Sequence, residues 1–171
     1  MSSFLQHVNI VLLPLVVSNV SHMLIVKKNH FKWLNRPISK KMFGANKTWR
    51  GFVFVSLVNA IVLQAVDFIL HLKMENAFYL GFLLGLVYVT FELPNSFMKR
   101  KLGILSGEQA SSNKMLFSSI DKMDSAFGVN LIYFLLGHLD WQCALTLFMS
   151  SSLMHYSISK ILVYFKLKKS F

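Results

Sequence analysis

The chain has 171 residues, of which 54% are apolar and only 15% charged, and its mean hydropathy is +0.52. Soluble domains carry about 25% charged residues, so this composition excludes a soluble globular domain as the default and, by its apolar content, excludes disorder. Eighteen Lys and Arg against seven Asp and Glu leave a net charge of +11, which on so apolar a chain points first to a membrane, next to an anionic substrate and last to nucleic acid.

A spanning helix needs about 20 mostly apolar residues. Phe4–Val26 supplies the first, closed by Lys27-Lys28. With no basic residue ahead of its apolar run and no small-residue cleavage site after it, this segment reads as a retained helix and not as a signal peptide. Gly51–Leu72 supplies the second helix, and Ala77–Leu93 the third, which Pro94 is expected to stop. Ala126–Leu139 is short of a full span, and reaches roughly 30 Å only if its helix begins near Ile120. The fifth runs from Trp141 to about Phe165, paired with the fourth through a tight turn at Gly137–Asp140.

Eight basic residues lie between helices 1 and 2 (Lys27, Lys28, Lys32, Arg36, Lys40, Lys41, Lys47, Arg50) and five between helices 3 and 4 (Lys99, Arg100, Lys101, Lys114, Lys122). Lys160, Lys166, Lys168 and Lys169 close the chain on the same side, leaving Lys73 alone on the other. The positive-inside rule makes the basic side cytoplasmic. The expectation is an all-α integral membrane protein of about five transmembrane helices, N-terminus outside and C-terminus cytoplasmic, with residues 1–171 forming a single domain in the cell's inner membrane. Cys143, the single cysteine, permits no internal disulfide and reads as a small packed hydrophobe.

Basic residues at helix ends fix topology and attract anionic lipid, but three clusters hold more than that. In Phe43-Gly44-Ala45-Asn46-Lys47-Thr48-Trp49-Arg50-Gly51, two hydrogen-bonding side chains and two cations run into the start of helix 2, where helix N–H groups favour an anion. The glycine spacing is wrong for a Walker A loop. The plainer reading is a helix cap with topology charges and Trp49 as an interfacial anchor. Glu92-Leu93-Pro94-Asn95-Ser96-Phe97-Met98-Lys99-Arg100-Lys101-Leu102-Gly103 places a carboxylate, an amide, a hydroxyl and three cations where helix 3 leaves the membrane; alternatively Glu92 pairs locally and the basic triplet stops transfer. Asp121-Lys122-Met123-Asp124-Ser125 is expected to open helix 4 with two carboxylates on one face. Those acids either suit a helix N-terminus, with Ser118 and Asp121 as a capping box, or hold Mg²⁺, which takes one or two carboxylates plus substrate phosphates.

Asn19, His22 and Asn130 are polar groups near the same helix ends, available to line the mouth of such a site or to tie helices together. Asp67 falls toward the opposite end of helix 2 and is left out. The six histidines show neither a zinc-ligand spacing nor a hydrolase triad.

In order and spacing, Asn46-Lys47-Thr48-Trp49-Arg50-Gly51, Pro94-Asn95-Ser96-Phe97-Met98-Lys99-Arg100-Lys101-Leu102-Gly103 and Asp121-Lys122-Met123-Asp124-Ser125 resemble the CDP-archaeol synthases and their bacterial relatives, integral-membrane enzymes similar to phosphatidate cytidylyltransferase. The resemblance implies a nucleotidyltransferase of phospholipid biosynthesis, in which a lipid phosphate attacks the α-phosphorus of CTP to give a CDP-lipid and pyrophosphate. It implies Asp121 and Asp124 as Mg²⁺ ligands. Lys47, Arg50, Lys99 and Arg100 become the catalytic cations on the phosphates, and Asn46, Thr48, Asn95 and Ser96 the substrate-binding groups. CTP, a membrane lipid phosphate and the bilayer are then the partners, with no nucleic acid. The pattern departs at Ser39, which follows Pro37-Ile38 where the family often has Asp. Diacyl and ether-linked isoprenoid phosphatidate remain alternative acceptors. A non-catalytic scaffold that retains the fold is the alternative function; a solute transporter fits less well, because the polar groups gather at one face and not at the midplane.

Overall fold

A computed structural model describes the backbone of residues 4–106 and 114–165, with all side chains in those ranges except 114–122. The elements are α1 (Phe4–Lys27), a 3-10 turn (Lys32–Leu34), α2 (Trp49–Leu70), α3 (Ala77–Lys101), α4 (Lys114–Leu135) and α5 (Trp141–Tyr164). Five helices and no strand longer than an isolated bridge make the described residues all-helical, as expected. α1, α2 and α3 are long and apolar enough to cross a membrane. Among the residues of α4 whose side chains are described, Met123–Leu135 form a shorter apolar stretch.

Successive helices pack against one another and α5 returns to α1, closing a ring. Its interior is built from Val11, Leu63, Leu84, Val129, Tyr133 and Leu147, but also from Ser18, Ser56, Asn59, Ser125 and Asn130. Large apolar side chains face outward: Trp49, Val53, Leu57 and Ile61 recur at every fourth position along α2 and are all exposed. Small and polar side chains inside with apolar side chains outside is the distribution lipid favours, because helices in a bilayer gain from close backbone approach and interhelical hydrogen bonds.

The closest helix pair shows how. Gly81 and Gly85 of α3 lie four apart against Ser56, Asn59 and Ala60 of α2, and a Cβ on either glycine would sit 2.8 Å from backbone Cα atoms of that helix. Across the seam Asn59 Nδ2 donates to the Gly81 carbonyl at 2.6 Å. α4 makes a similar approach at Gly128, over which the Phe91 ring lies. Asn130 donates to Ser151 Oγ of α5 at 3.0 Å, the helix-tying role expected of a lone Asn.

Two boundaries differ from expectation in ways that shape the site. Pro94 does not end α3, which continues to Lys101. The helical hydrogen bond that the proline removes is the one to the Thr90 carbonyl, a single loss that a 25-residue helix packed along its length on α2 and α4 tolerates. Thr90 Oγ1 and Ser96 Oγ donate to the Leu86 and Glu92 carbonyls on either side. α4 begins at Lys114 and ends at Leu135, earlier at both ends than expected. Position 121 is therefore two turns inside a helix, so Asp121 and Asp124 do not open α4, and neither the capping-box nor the helix-dipole reading applies to them.

Candidate functional site

Because α3 runs unbroken through Pro94, Tyr88, Glu92, Asn95, Ser96 and Lys99 fall at helical spacing along one face. That face meets the connection between α1 and α2 on one side and α4 on the other. Lys47, in the connection, forms an ion pair with Glu92. Asn95, buried, donates from Nδ2 to Asp124 Oδ2 at 3.2 Å. The other oxygen of Asp124 accepts from the Ser125 backbone N–H at 2.6 Å. Glu92 and Lys47 both lie within electrostatic reach of Asp124. One turn deeper, Tyr88 Oη and His155 Nε2 of α5 are 3.0 Å apart. A cavity of about 30 Å³ lies alongside, where Asn19, Asn130 and Ser151 join Tyr88, Ser125 and His155 among apolar side chains.

The connection is held to the bundle by backbone contacts. Pro37 pairs with Thr48, the Ile38 N–H donates to the Lys47 carbonyl at 2.9 Å, and the Trp49 N–H to the Arg36 carbonyl at 3.1 Å. Ser39 closes a turn, accepting from the Met42 N–H at its hydroxyl and from the Phe43 N–H at its carbonyl. Gly44 follows at φ +85°, where a Cβ would lie 2.9 Å from Ser106 Oγ and 3.5 Å from an Arg100 Nη. This glycine lets the connection pass close over the end of α3.

The predicted residues divide. Lys47, Asn95 and Asp124 come together as described. Arg50 is buried and donates from Nη1 to the His30 carbonyl at 3.1 Å, while its Nε is buried without a hydrogen-bond partner. The Nε of Arg100 is likewise buried without a partner. Lys99 is half-buried on the shared face of α3 and already engaged by a neighbour. Ser96 directs its hydroxyl hydrogen to the Glu92 carbonyl, so only its oxygen lone pairs are left for a ligand. Thr48 sits at the N-cap of α2, buried, but its side chain makes no capping hydrogen bond, which removes the simple cap reading. Asn46 is exposed on the connection. The side chain of Asp121 lies outside the described residues. Asp67 accepts from the Met74 N–H, in the connection between α2 and α3, and stays apart from the cluster.

Glu92 and Tyr88 join the cluster without having been assigned site roles, and His22, read as available to line the mouth, lies beside it. His22 lies 3.6 Å from the Cβ position of Gly51, within electrostatic reach of Glu92, Arg50 and Lys47, and its Nε2 is buried without a partner. The signal for Glu92 was its spacing to Asn95 and Lys99, visible only once the helix is carried through Pro94.

His22, Arg50 and Arg100 each have a buried nitrogen without a hydrogen-bond partner, and the two arginine N–H groups are donors that an anion would satisfy. The carboxylates of Glu92 and Asp124 with the Asn95 amide supply hard oxygen donors. Among the described residues no three His, Cys, Asp or Glu side chains gather as a metal cage. A pair of carboxylates nonetheless fits Mg²⁺, which fills the rest of its octahedron with phosphate oxygens and water.

The CarS-like family model, CDP-archaeol synthase, matches residues 1–171. The chain belongs to this family. The CDP-archaeol synthase of Staphylothermus marinus is 32% identical over 98 residues, covering 57% of this chain and 51% of that protein. That of Pyrococcus furiosus is 34% identical over 73 residues, 42% of this chain and 44% of its own. The chain thus spans about half the length of the curated relatives it matches. No solved structure matches it. The resemblance read from the three motifs is borne out by this membership.

Proposed function

We propose that the chain is a CTP-dependent cytidylyltransferase that activates a membrane lipid phosphate, and that the convergence of Lys47, Glu92, Asn95 and Asp124 from three elements is its active site. That convergence carries the reading, because it sets a cation and two hard-oxygen acids within reach of one another at one end of an apolar bundle. An oxygen of the lipid phosphate attacks the α-phosphorus of CTP. One P–O bond forms, the bond between the α-phosphorus and its bridging oxygen breaks, and pyrophosphate leaves with the electron pair. The attacking phosphate is already ionised at neutral pH, so the reaction asks for positioning and charge neutralisation, not for a general base.

Lys47, Arg50, Lys99 and Arg100 neutralise the phosphates, and the buried Nε atoms of the two arginines have unused donors for them. Asn46, Thr48, Asn95 and Ser96 orient the nucleotide and the lipid headgroup. Glu92 and Asp124, with Asp121 one turn earlier on α4, would hold Mg²⁺. When bound, that ion offsets charge on the leaving pyrophosphate. The charge asymmetry of the loops supports a cytoplasmic active face, an outer N-terminus and residence in the inner membrane, with the whole chain acting as one domain.

The test is transfer of α-³²P from CTP into extractable lipid by detergent-purified protein with Mg²⁺, offering diacyl and ether-linked isoprenoid phosphatidate in parallel. Incorporation by wild type and loss of about 100-fold or more in Asp124→Asn is the expected result, and the lipid labelled names the acceptor. A folded wild-type protein that transfers to neither lipid and binds no CTP would instead be a scaffold.

A further inference from the structure

Eight cations lie between Lys27 and Arg50 and not one acid accompanies them. Most are solvated lysines, but Arg36 has been placed differently. The 3-10 turn Lys32–Leu34 is closed by hydrogen bonds from the Leu34 and Asn35 N–H groups to the Phe31 and Lys32 carbonyls. The chain then runs directly to Arg36, whose carbonyl is fastened to the N–H of Trp49, the first residue of α2. The result is an open cleft of about 300 Å³ lined by Trp33, Leu34, Arg36 and Trp49. Arg36 is exposed, and no hydrogen bond or ion pair engages its guanidinium among the described residues. Trp33 and Trp49 are 71% and 50% exposed.

The direction of the cleft separates it from the site above. Trp49 begins the exposed stripe that continues through Val53, Leu57 and Ile61, so it stands on the outward, lipid-facing side of α2. Its neighbour Arg50 points inward and is buried. The cleft shares no lining residue with the Lys47, Glu92, Asn95 and Asp124 cluster. Indoles prefer the headgroup level of a bilayer, with one face in hydrocarbon and the N–H in water. An arginine offers a planar fork of donors that matches phosphate oxygens. We propose that this cleft binds the phosphodiester headgroup of an anionic bilayer phospholipid that is not a substrate. The lipid's glycerol and upper acyl chain lie against Trp33 and Trp49, and its phosphate is held by Arg36. Because Arg36 and Trp49 are joined through the backbone, the bound lipid also fastens the connection that carries Lys47.

Tryptophan quenching tests this directly. The chain has three tryptophans, so a Trp141→Phe background leaves Trp33 and Trp49 as the reporters. The protein is placed in nanodiscs containing phosphatidylglycerol or phosphatidylcholine brominated near the top of the acyl chain, diluted in unlabelled phosphatidylcholine. Brominated phosphatidylglycerol is expected to quench at about fivefold lower mole fraction than brominated phosphatidylcholine, the worth of one interfacial cation beside an anionic lipid. Arg36→Gln should abolish that preference while thermal unfolding is unchanged, whereas Lys28→Gln should leave it in place. Equal quenching by the two lipids in wild type would overturn the proposal. So would a preference that survives Arg36→Gln, which would be the diffuse attraction of the lysines, or relief of phosphatidylglycerol quenching by CTP, which would make the cleft a nucleotide subsite.

Discussion

Lys47 and Glu92 are each about a quarter exposed at the side chain, and that exposure decides what their ion pair does. A pair so open to water contributes roughly 0.2–1 kcal/mol to stability, after screening and the cost of ordering two long side chains. Its value lies in position, since it holds a cation of the connection against α3 and within electrostatic reach of the Asp124 carboxylate. Lys47→Met is therefore expected to lower CTP-dependent lipid labelling by roughly 10²–10³-fold, as removal of one preorganised electrostatic group does. Its unfolding temperature should stay close to that of wild type. A comparable drop in both would make the pair structural. Lys47, Asn95 and Asp124 were legible at this scale because each is a polar residue in an apolar chain. Glu92 was visible too, but a carboxylate two residues before a proline reads equally as a local helix-end partner, and nothing local separates the two.

Between elements, the α2–α3 seam sets how the site is carried. Gly81 and Gly85 bring the two backbones together, and an added Cβ at either would press on α2 main chain at 2.8–2.9 Å, which no rotamer change relieves. Gly81→Leu and Gly85→Leu are each expected to destabilise by roughly 1–3 kcal/mol through overpacking, read as earlier unfolding in detergent. Gly51→Ala is the contrast. Its Cβ would meet the His22 ring at 3.6 Å, an ordinary contact, and alanine gains roughly 0.8–1 kcal/mol of helix propensity over glycine, so that variant should unfold no earlier than wild type. The Gly-x-x-x-Gly spacing was present in the sequence as a packing signal. Which helix fills it was not, because the partner surface of Ser56, Asn59 and Ala60 has no pattern of its own. Pro94 is the converse: a local breaker was overridden because one lost hydrogen bond does not end a 25-residue helix that packs on α2 and α4.

For the whole molecule, five helices packed in sequence bring the α1–α2 connection and the end of α3 to one face, as the approach of Gly44 to Arg100 and Ser106 requires. Of the basic residues predicted to be cytoplasmic, those in that connection and Lys99, Arg100 and Lys101 at the end of α3 belong to the elements that meet at this face, while Lys73 lies in the connection between α2 and α3. A Cys143→Ser chain is free of cysteine, and single cysteines at 40 and 73 then report orientation in intact cells. A membrane-impermeant maleimide is expected to label position 73 and to reach position 40 only after the membrane is opened. The reverse pattern would put the candidate site outside the cell and away from CTP.

What the sequence by itself determined follows from local physics. Segment length against bilayer thickness gave the helices, loop charge gave their expected orientation, and three clusters in fixed order were enough to identify the family. What only the tertiary structure decided depends on residues far apart in the chain. Lys47 reaches Glu92, Asn95 reaches Asp124, Arg50 gives one of its donors to His30, and Tyr88 meets His155. Hydropathy and charge act on a segment wherever its neighbours lie, so they survive in one dimension. Pairing of polar side chains depends on helix rotation and on which backbones approach within a few ångströms, and the glycines, small residues and unbroken α3 that set those distances act only once the bundle has packed.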